Sequence, residues 1–174
     1  GGRGMKVAQT AADMEQAFHS ARAEGKAAFG NDEVYIEKYL TTPRHIEVQV
    51  FGDGKGRAVH LGERDCSLQR RHQKLIEIAL APNLSEDQRS ALHAHATRLA
   101  SDGRYRSLGT FEFLLDQASD EVFFIEANPR IQVEHTITEE VFGLDLVAMQ
   151  LRIAAGATLG DLDLSPRPRG TAIQ

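Results

Sequence analysis

Two neighbouring segments with a residue period of two constrain this chain more than any other feature. In Gly109 to Leu115, Thr110, Glu112 and Leu114 share one face, and Phe111, Phe113 and Leu115 share the other. In Glu121 to Asn128, Val122, Phe124, Glu126 and Asn128 share a face. Successive side chains of a strand point to opposite sides, so such alternation predicts two strands. The polar turn Asp116 to Asp120 between them predicts an antiparallel hairpin, which brings Glu112 and Glu126 together on one side.

The rest of the chain supplies the setting. Thr10 caps an expected helix through about Ala28, with Met14, Ala17, Phe18 and Ala21 at helical spacing. Val34 to Leu40 reads as a strand, and so does Arg44 to Phe51, where Ile46, Val48 and Val50 face one way and His45, Glu47 and Gln49 the other. After the turn Asp53 to Gly56, a third strand runs from Arg57 to about Glu63. Arg64 to Lys74 has no clear period and is expected to be a loop. Ser85 starts a helix through about Ser101, Thr138 caps a short helix ending near Gly143, and Asp145 caps another to about Ala155. The order predicts an α+β fold with antiparallel sheets flanked by helices.

Composition narrows the function. A formal net charge of -5 argues against nucleic acid as a partner. No apolar run approaches the roughly 18 residues needed to cross a bilayer. Cys66 is the only cysteine, which excludes an internal disulfide and points to a reducing compartment. Packing as a small buried hydrophobe accounts for it. His93 and His95 lie two apart on a predicted helix and share no face, which disfavours a zinc site.

Glu112, Glu126 and Asn128 on one sheet face offer hard oxygen ligands suited to Mg²⁺ or Mn²⁺ held together with phosphate oxygens. The alternative is a pair of solvated glutamates. The segment Glu126 to His135 adds Arg130 and Glu134 beside Pro129: an arginine there can clamp a small planar anion, and Glu134 can act as a base near it. Gln69, His72 and Lys74 form a second polar group suited to phosphate or carboxylate, with a solvated loop as its alternative. The glycine-rich start fits a flap whose backbone N–H groups cover phosphates, or simply a turn.

The assembled chain resembles the biotin carboxylase family of ATP-grasp enzymes from end to end. The resemblance rests on Gly1 to Met5, Ile36 to Leu40, Pro43 to Val50, Gly62 to Lys74, Gly109 to Leu114 and Phe124 to His135, in that order. It implies that Glu37 and the backbone of Leu40 meet adenine, with Met5 and Leu114 packed against it. His45, Gln69 and His72 would line the ribose and phosphates, and Gly1 and Gly2 would lie over the phosphates. Glu112 and Glu126, supported by Asn128, would hold the metal ions. Lys74, Arg130, Gln132, the backbone of Val133, and Glu134 as base would form the bicarbonate site.

The implied reaction uses MgATP to activate bicarbonate through carboxyphosphate and then carboxylates N1′ of biotin on a carrier domain, in partnership with a carboxyltransferase. Residues 1–50 are expected to belong to the ATP-grasp lid and 51–174 to its catalytic core. The implied location is cytoplasmic, or the mitochondrial matrix in a eukaryote, and homo-oligomers of the parent are compatible with the resemblance. Both ends read as cut, so the chain is expected to be part of a longer enzyme and inactive alone. The family's ATP-binding lysines precede the glycine loop and its further biotin-site arginine follows Gln174, while Leu80 stands where relatives carry proline. Two alternatives remain at this point: another ATP-grasp ligase such as a carbamoyl-phosphate synthetase, and a nucleotide-binding module without turnover.

Overall fold

The structure is a computed structural model that describes residues 4–162, 164 and 167–174. It comprises two compact units, Gly1–Thr41 and Thr42–Gln174.

The first unit is built on α1 (Ala11–Phe29). The Thr10 hydroxyl accepts from the Asp13 amide and the Asp13 carboxylate accepts from the Thr10 amide, a capping box that fixes where the helix begins. Gly30, at φ 72°, ends it. The strand expected at Val34 to Leu40 does not form. Residues 31–40 join no ladder, and Tyr35 and Ile36 remain 83% and 67% exposed. An extended segment needs a neighbouring strand to hold its backbone hydrogen bonds, and the first unit supplies none among its described residues.

The second unit is a sheet carrying helices on both faces. Its strands are β1 (Pro43–Asp53), β2 (Ala58–Arg70), β3 (Gln73–Ala79), β4 (Arg106–Asp116), β5 (Val122–Asn128) and β6 (Ala172–Ile173). They pair antiparallel in the order β5-β4-β1-β2-β3-β6, which places β1 centrally with both faces covered. On one face, Ile46, Val48 and Val50 of β1 and Phe111, Phe113 and Leu115 of β4 pack against Leu92, Ala96 and Ala100 of α2 (Glu86–Asp102). On the opposite face, Phe51, Leu61 and Leu108 pack against Leu146, Met149 and Ile153 of α4 (Leu146–Ala154). No described helix is long and apolar enough to cross a membrane.

Two sequence expectations change here. The segment Arg64 to Lys74 is no loop: β2 continues to Arg70, and β3 returns from Gln73. Register shifts between Asp65 and Gln69 break the two-residue period, and the polar side chains on the buried face hide the pattern further. Arg71 and His72 make the turn at φ 52° and 61°, a conformation usually left to asparagine and glycine. Thr138 caps nothing. The last short helix, α3 (His135–Phe142), starts earlier, and Thr138 lies buried within it.

Candidate active site

The face of β1 opposite α2 carries His45, Glu47 and Gln49, and its neighbours present Thr110, Glu112, Arg64 and Lys74. The hairpin register pairs Glu112 with Glu126 and Thr110 with Asn128, while Glu47 lies opposite Glu112 on the other side of β4. Three carboxylates therefore stand in one row across three strands. Like charges so placed require cations and donors between them.

Glu112 is the hub. Its Oε2 lies 2.6 Å from His45 Nε2, and its Oε1 accepts from Asn128 at 2.8 Å, Gln132 at 3.1 Å and Lys74 at 3.3 Å. Only 5% of the residue is exposed, so a solvated glutamate is excluded. Burial opposes its charge, but the hydrogen bond to His45, the Lys74 ammonium and Gln132 hold its carboxyl down at about 2. Gln69 bonds the far nitrogen of His45 at 2.7 Å and the Cys66 carbonyl at 2.8 Å, which sets the ring's orientation.

Lys74 forms the second hub. Its ammonium donates to Glu47 Oε2 at 2.5 Å and to Glu134 Oε1 at 2.7 Å. Burial would lower the lysine, yet the Glu47 charge and the bond to Glu134 hold it above its ordinary range. Glu134 is pushed up by burial, but its bond to Lys74 leaves it below the usual carboxylate range, so it is an anion at neutral pH. The ligand atoms of Glu47, Cys66 and Glu134 lie close enough to suggest a metal triad. Lys74 already joins the two carboxylates, and burial pushes the Cys66 thiol up, so this cluster is an ammonium site.

At the sheet edge, exposed Glu126 accepts from Asn128 at 3.2 Å, and an Arg130 terminal nitrogen donates to Asn128 Oδ1 at 3.4 Å. Two carboxylates converging on one amide, one of them open to solvent, are a donor set that fits Mg²⁺ or Mn²⁺ shared with phosphate oxygens. Such an ion would neutralise phosphate charge. Gln132 is buried, and its Oε1 has no protein partner. Val133 is 78% exposed and His72 sits exposed at the β2–β3 turn. Leu114 is half-buried opposite His45 in the register.

Thus His45, Gln69, Lys74, Glu112, Glu126, Asn128, Arg130, Gln132 and Glu134 share one hydrogen-bonded array. Met5, Glu37 and Leu40 belong to the first unit, with Met5 and Glu37 exposed and Leu40 half-buried. Gly1 and Gly2 lie outside the described residues. Sequence reasoning missed Glu47 and Arg64. Both are fully buried, and Arg64 Nε donates to Glu47 Oε1 at 2.5 Å. Their signal was the polar alternation His45, Glu47, Gln49 on a strand whose other face is wholly apolar.

Residues 1–162 match the family described as carbamoyl-phosphate synthase L chain, ATP binding domain. A pyruvate carboxylase of Aspergillus niger is 54% identical over 177 residues, covering 100% of this chain but 15% of that protein. Among solved structures, biotin carboxylase from Campylobacter jejuni, in a complex with β-γ-ATP, superposes with a TM-score of 0.91 at 47% identity, over 99% of this chain and 38% of that one. The biotin carboxylase domain of Hydrogenobacter thermophilus 2-oxoglutarate carboxylase, solved with MgADP, ADP and bicarbonate, gives 0.89 at 43% identity, over 99% of this chain and 38% of that one. The chain spans about 15% of the length of the curated pyruvate carboxylase it matches. The family match over residues 1–162, the 54% identity across the whole chain and the TM-score of 0.91 agree with one another, and the chain belongs to the biotin carboxylase family of ATP-grasp ligases.

Proposed function

We propose that this chain is the core of a biotin carboxylase that uses MgATP and bicarbonate to carboxylate N1′ of biotin on a carrier domain. The observation that carries the reading is the continuity of Glu112, Lys74 and Glu134, which joins a metal-type donor set to a base beside a cation. The bicarbonate and MgADP in the Hydrogenobacter structure, and the nucleotide in the Campylobacter one, are the ligands that such an array suits.

In this reading Glu112 and Glu126, steadied by Asn128, hold Mg²⁺ on the ATP phosphates. Lys74, Arg130, Gln132 and the Val133 amide bind bicarbonate, and Gln132 Oε1 is available to its hydroxyl. Glu134 takes the bicarbonate proton as an oxygen attacks the γ-phosphorus and ADP leaves. The carboxyl group of the resulting carboxyphosphate then passes to biotin N1′ as its C–O bond to phosphate breaks, and the departing phosphate carries off the N1′ proton. Positioning supplies most of the rate. His45, Gln69, His72 and Leu114 line the nucleotide. The first unit, with Gly1, Gly2, Met5, Glu37 and Leu40, is the lid side, and the second is the catalytic core. The parent's carrier and carboxyltransferase domains complete the cycle. The lone, buried Cys66 fits a reducing compartment, the cytoplasm or a mitochondrial matrix.

The test is ATP cleavage by the longer parent protein, with and without bicarbonate and free biotin. Bicarbonate-dependent ADP release that rises with biotin supports the reading. Stimulation by ammonia or glutamine in place of biotin moves the assignment to a carbamoyl-phosphate synthetase. Mg²⁺-dependent nucleotide binding without cleavage makes it a binding module.

A further inference from the structure

We infer that Arg64 is a positioning residue for bicarbonate activation, one that sets both partners of the Lys74–Glu134 pair without touching substrate; the inference rests on the function proposed above. Arg64 is 0% exposed and reaches three elements. Its Nε donates to Glu47 Oε1 on β1 at 2.5 Å. One terminal nitrogen donates to Gln49 Oε1 on β1 and to Thr138 Oγ1 on α3, each at 2.8 Å, and the other lies 3.4 Å from Thr110 Oγ1 on β4.

Two consequences bear on the site. Glu47 has one oxygen on Arg64 and the other on Lys74, so the guanidinium decides how strongly Glu47 draws the lysine. With Arg64 removed, the whole Glu47 charge would fall on Lys74 and pull its ammonium away from Glu134. Thr138 lies one turn beyond Glu134, the residue that opens α3. Its bond to Arg64 pins that turn of the helix, and with it the Glu134 carboxylate, to the sheet. A planar guanidinium with donors in a fixed fork can serve these acceptors together, whereas a lysine ammonium cannot reproduce the geometry. Gln49 is itself held by donation to the Gly109 carbonyl at 2.8 Å, so the acceptors around Arg64 are set before the arginine arrives.

The test uses the full-length parent carboxylase. Steady-state ATP cleavage is measured at varied bicarbonate and, separately, at varied MgATP, for Thr138→Val, Thr138→Ser and Arg64→Lys. Thr138→Val removes the acceptor while nearly keeping volume, so it tests the tether even if Arg64→Lys fails to fold. The expected result is a loss of about tenfold in kcat/KM for bicarbonate with Thr138→Val, with KM for MgATP within about twofold of wild type. Thr138→Ser, which keeps the hydroxyl, should restore the value, and folded Arg64→Lys should lose about a hundredfold or more. The inference is overturned if Thr138→Val keeps its bicarbonate kcat/KM, if Thr138→Ser fails to restore it, or if bicarbonate and MgATP parameters decline together, as general loosening would cause. If the wild-type parent shows no bicarbonate-dependent cleavage, the proposed function fails first and takes this inference with it.

Discussion

Lys74 on β3 and Glu134 at the start of α3 are separated by 60 residues in sequence and by 2.7 Å in space. The contact joins the far side of the sheet to the loop that follows β5, and it leaves a cation and a base side by side. Glu47 balances the same ammonium from below at 2.5 Å. Under the proposed function, an arriving bicarbonate would take over part of the lysine's bonding from Glu134 and free that carboxylate to accept a proton.

Lys74→Ala and Glu134→Ala in the parent protein should each lower bicarbonate-dependent ATP cleavage at least about a hundredfold, the scale of a lost general base or anion clamp. MgATP binding, measured by calorimetry, should stay within a few fold, because neither residue belongs to the metal set. Loss of nucleotide binding in both variants would reassign them.

Glu112→Gln and Glu126→Gln should differ. Glu112 is partnered by His45, Asn128, Gln132 and Lys74, so neutralising it disturbs four groups, whereas Glu126 is exposed and meets Asn128. Titrating Mg²⁺ at fixed ATP should show activity half-maximal at about tenfold more metal for Glu126→Gln, recoverable at high Mg²⁺. Glu112→Gln should not recover at any concentration.

The legible parts of this fold were those with local causes. Capping boxes at Thr10 and Ser85 placed α1 and α2, and period-two alternation placed β4, β5 and the shared side of Glu112 and Glu126. The β2–β3 hairpin was illegible because its turn uses Arg71 and His72 and its strands shift register. Arg64 escaped for the same reason: its role exists only once β1, β4 and α3 converge on it. The proposed bicarbonate role of Gln132 came from family resemblance alone; strand periodicity says nothing about a loop.

Gly52 faces a close backbone approach. A Cβ there would lie 2.1 Å from the Tyr105 carbonyl oxygen, at the end of the β1–β4 ladder where Gly52 pairs with Ser107. Gly52→Ala must push two backbones apart, and a destabilisation of about 3 kcal/mol or more is expected. Chemical denaturation, read as a shift in midpoint at unchanged slope, measures it.

The last prediction concerns acid. His60 on β2 and His93 on α2 stack with ring centroids 3.8 Å apart, and His93 Nε2 lies 2.6 Å from buried Glu63. Arg89 also donates to Glu63, which already balances that carboxylate and leaves His93 to bond it as a neutral donor. Desolvation on packing against the His93 ring pushes His60 down to about 4 although the residue keeps an exposed edge, and burial and then Arg89 push His93 down to about 4. Both folded values lie below the ordinary 6.5, so the unfolded chain binds more protons between these limits. Stability is therefore full above about pH 6.5, declines as pH falls towards about 4, and levels off below. Hydrogen exchange of the α2 amides, corrected for its intrinsic pH dependence, should show protection falling between pH 7 and pH 5. In His60→Gln, which leaves the more buried His93 alone to titrate, the decline should be shallower. An equal slope in the two proteins would show that the stacked pair is not its source.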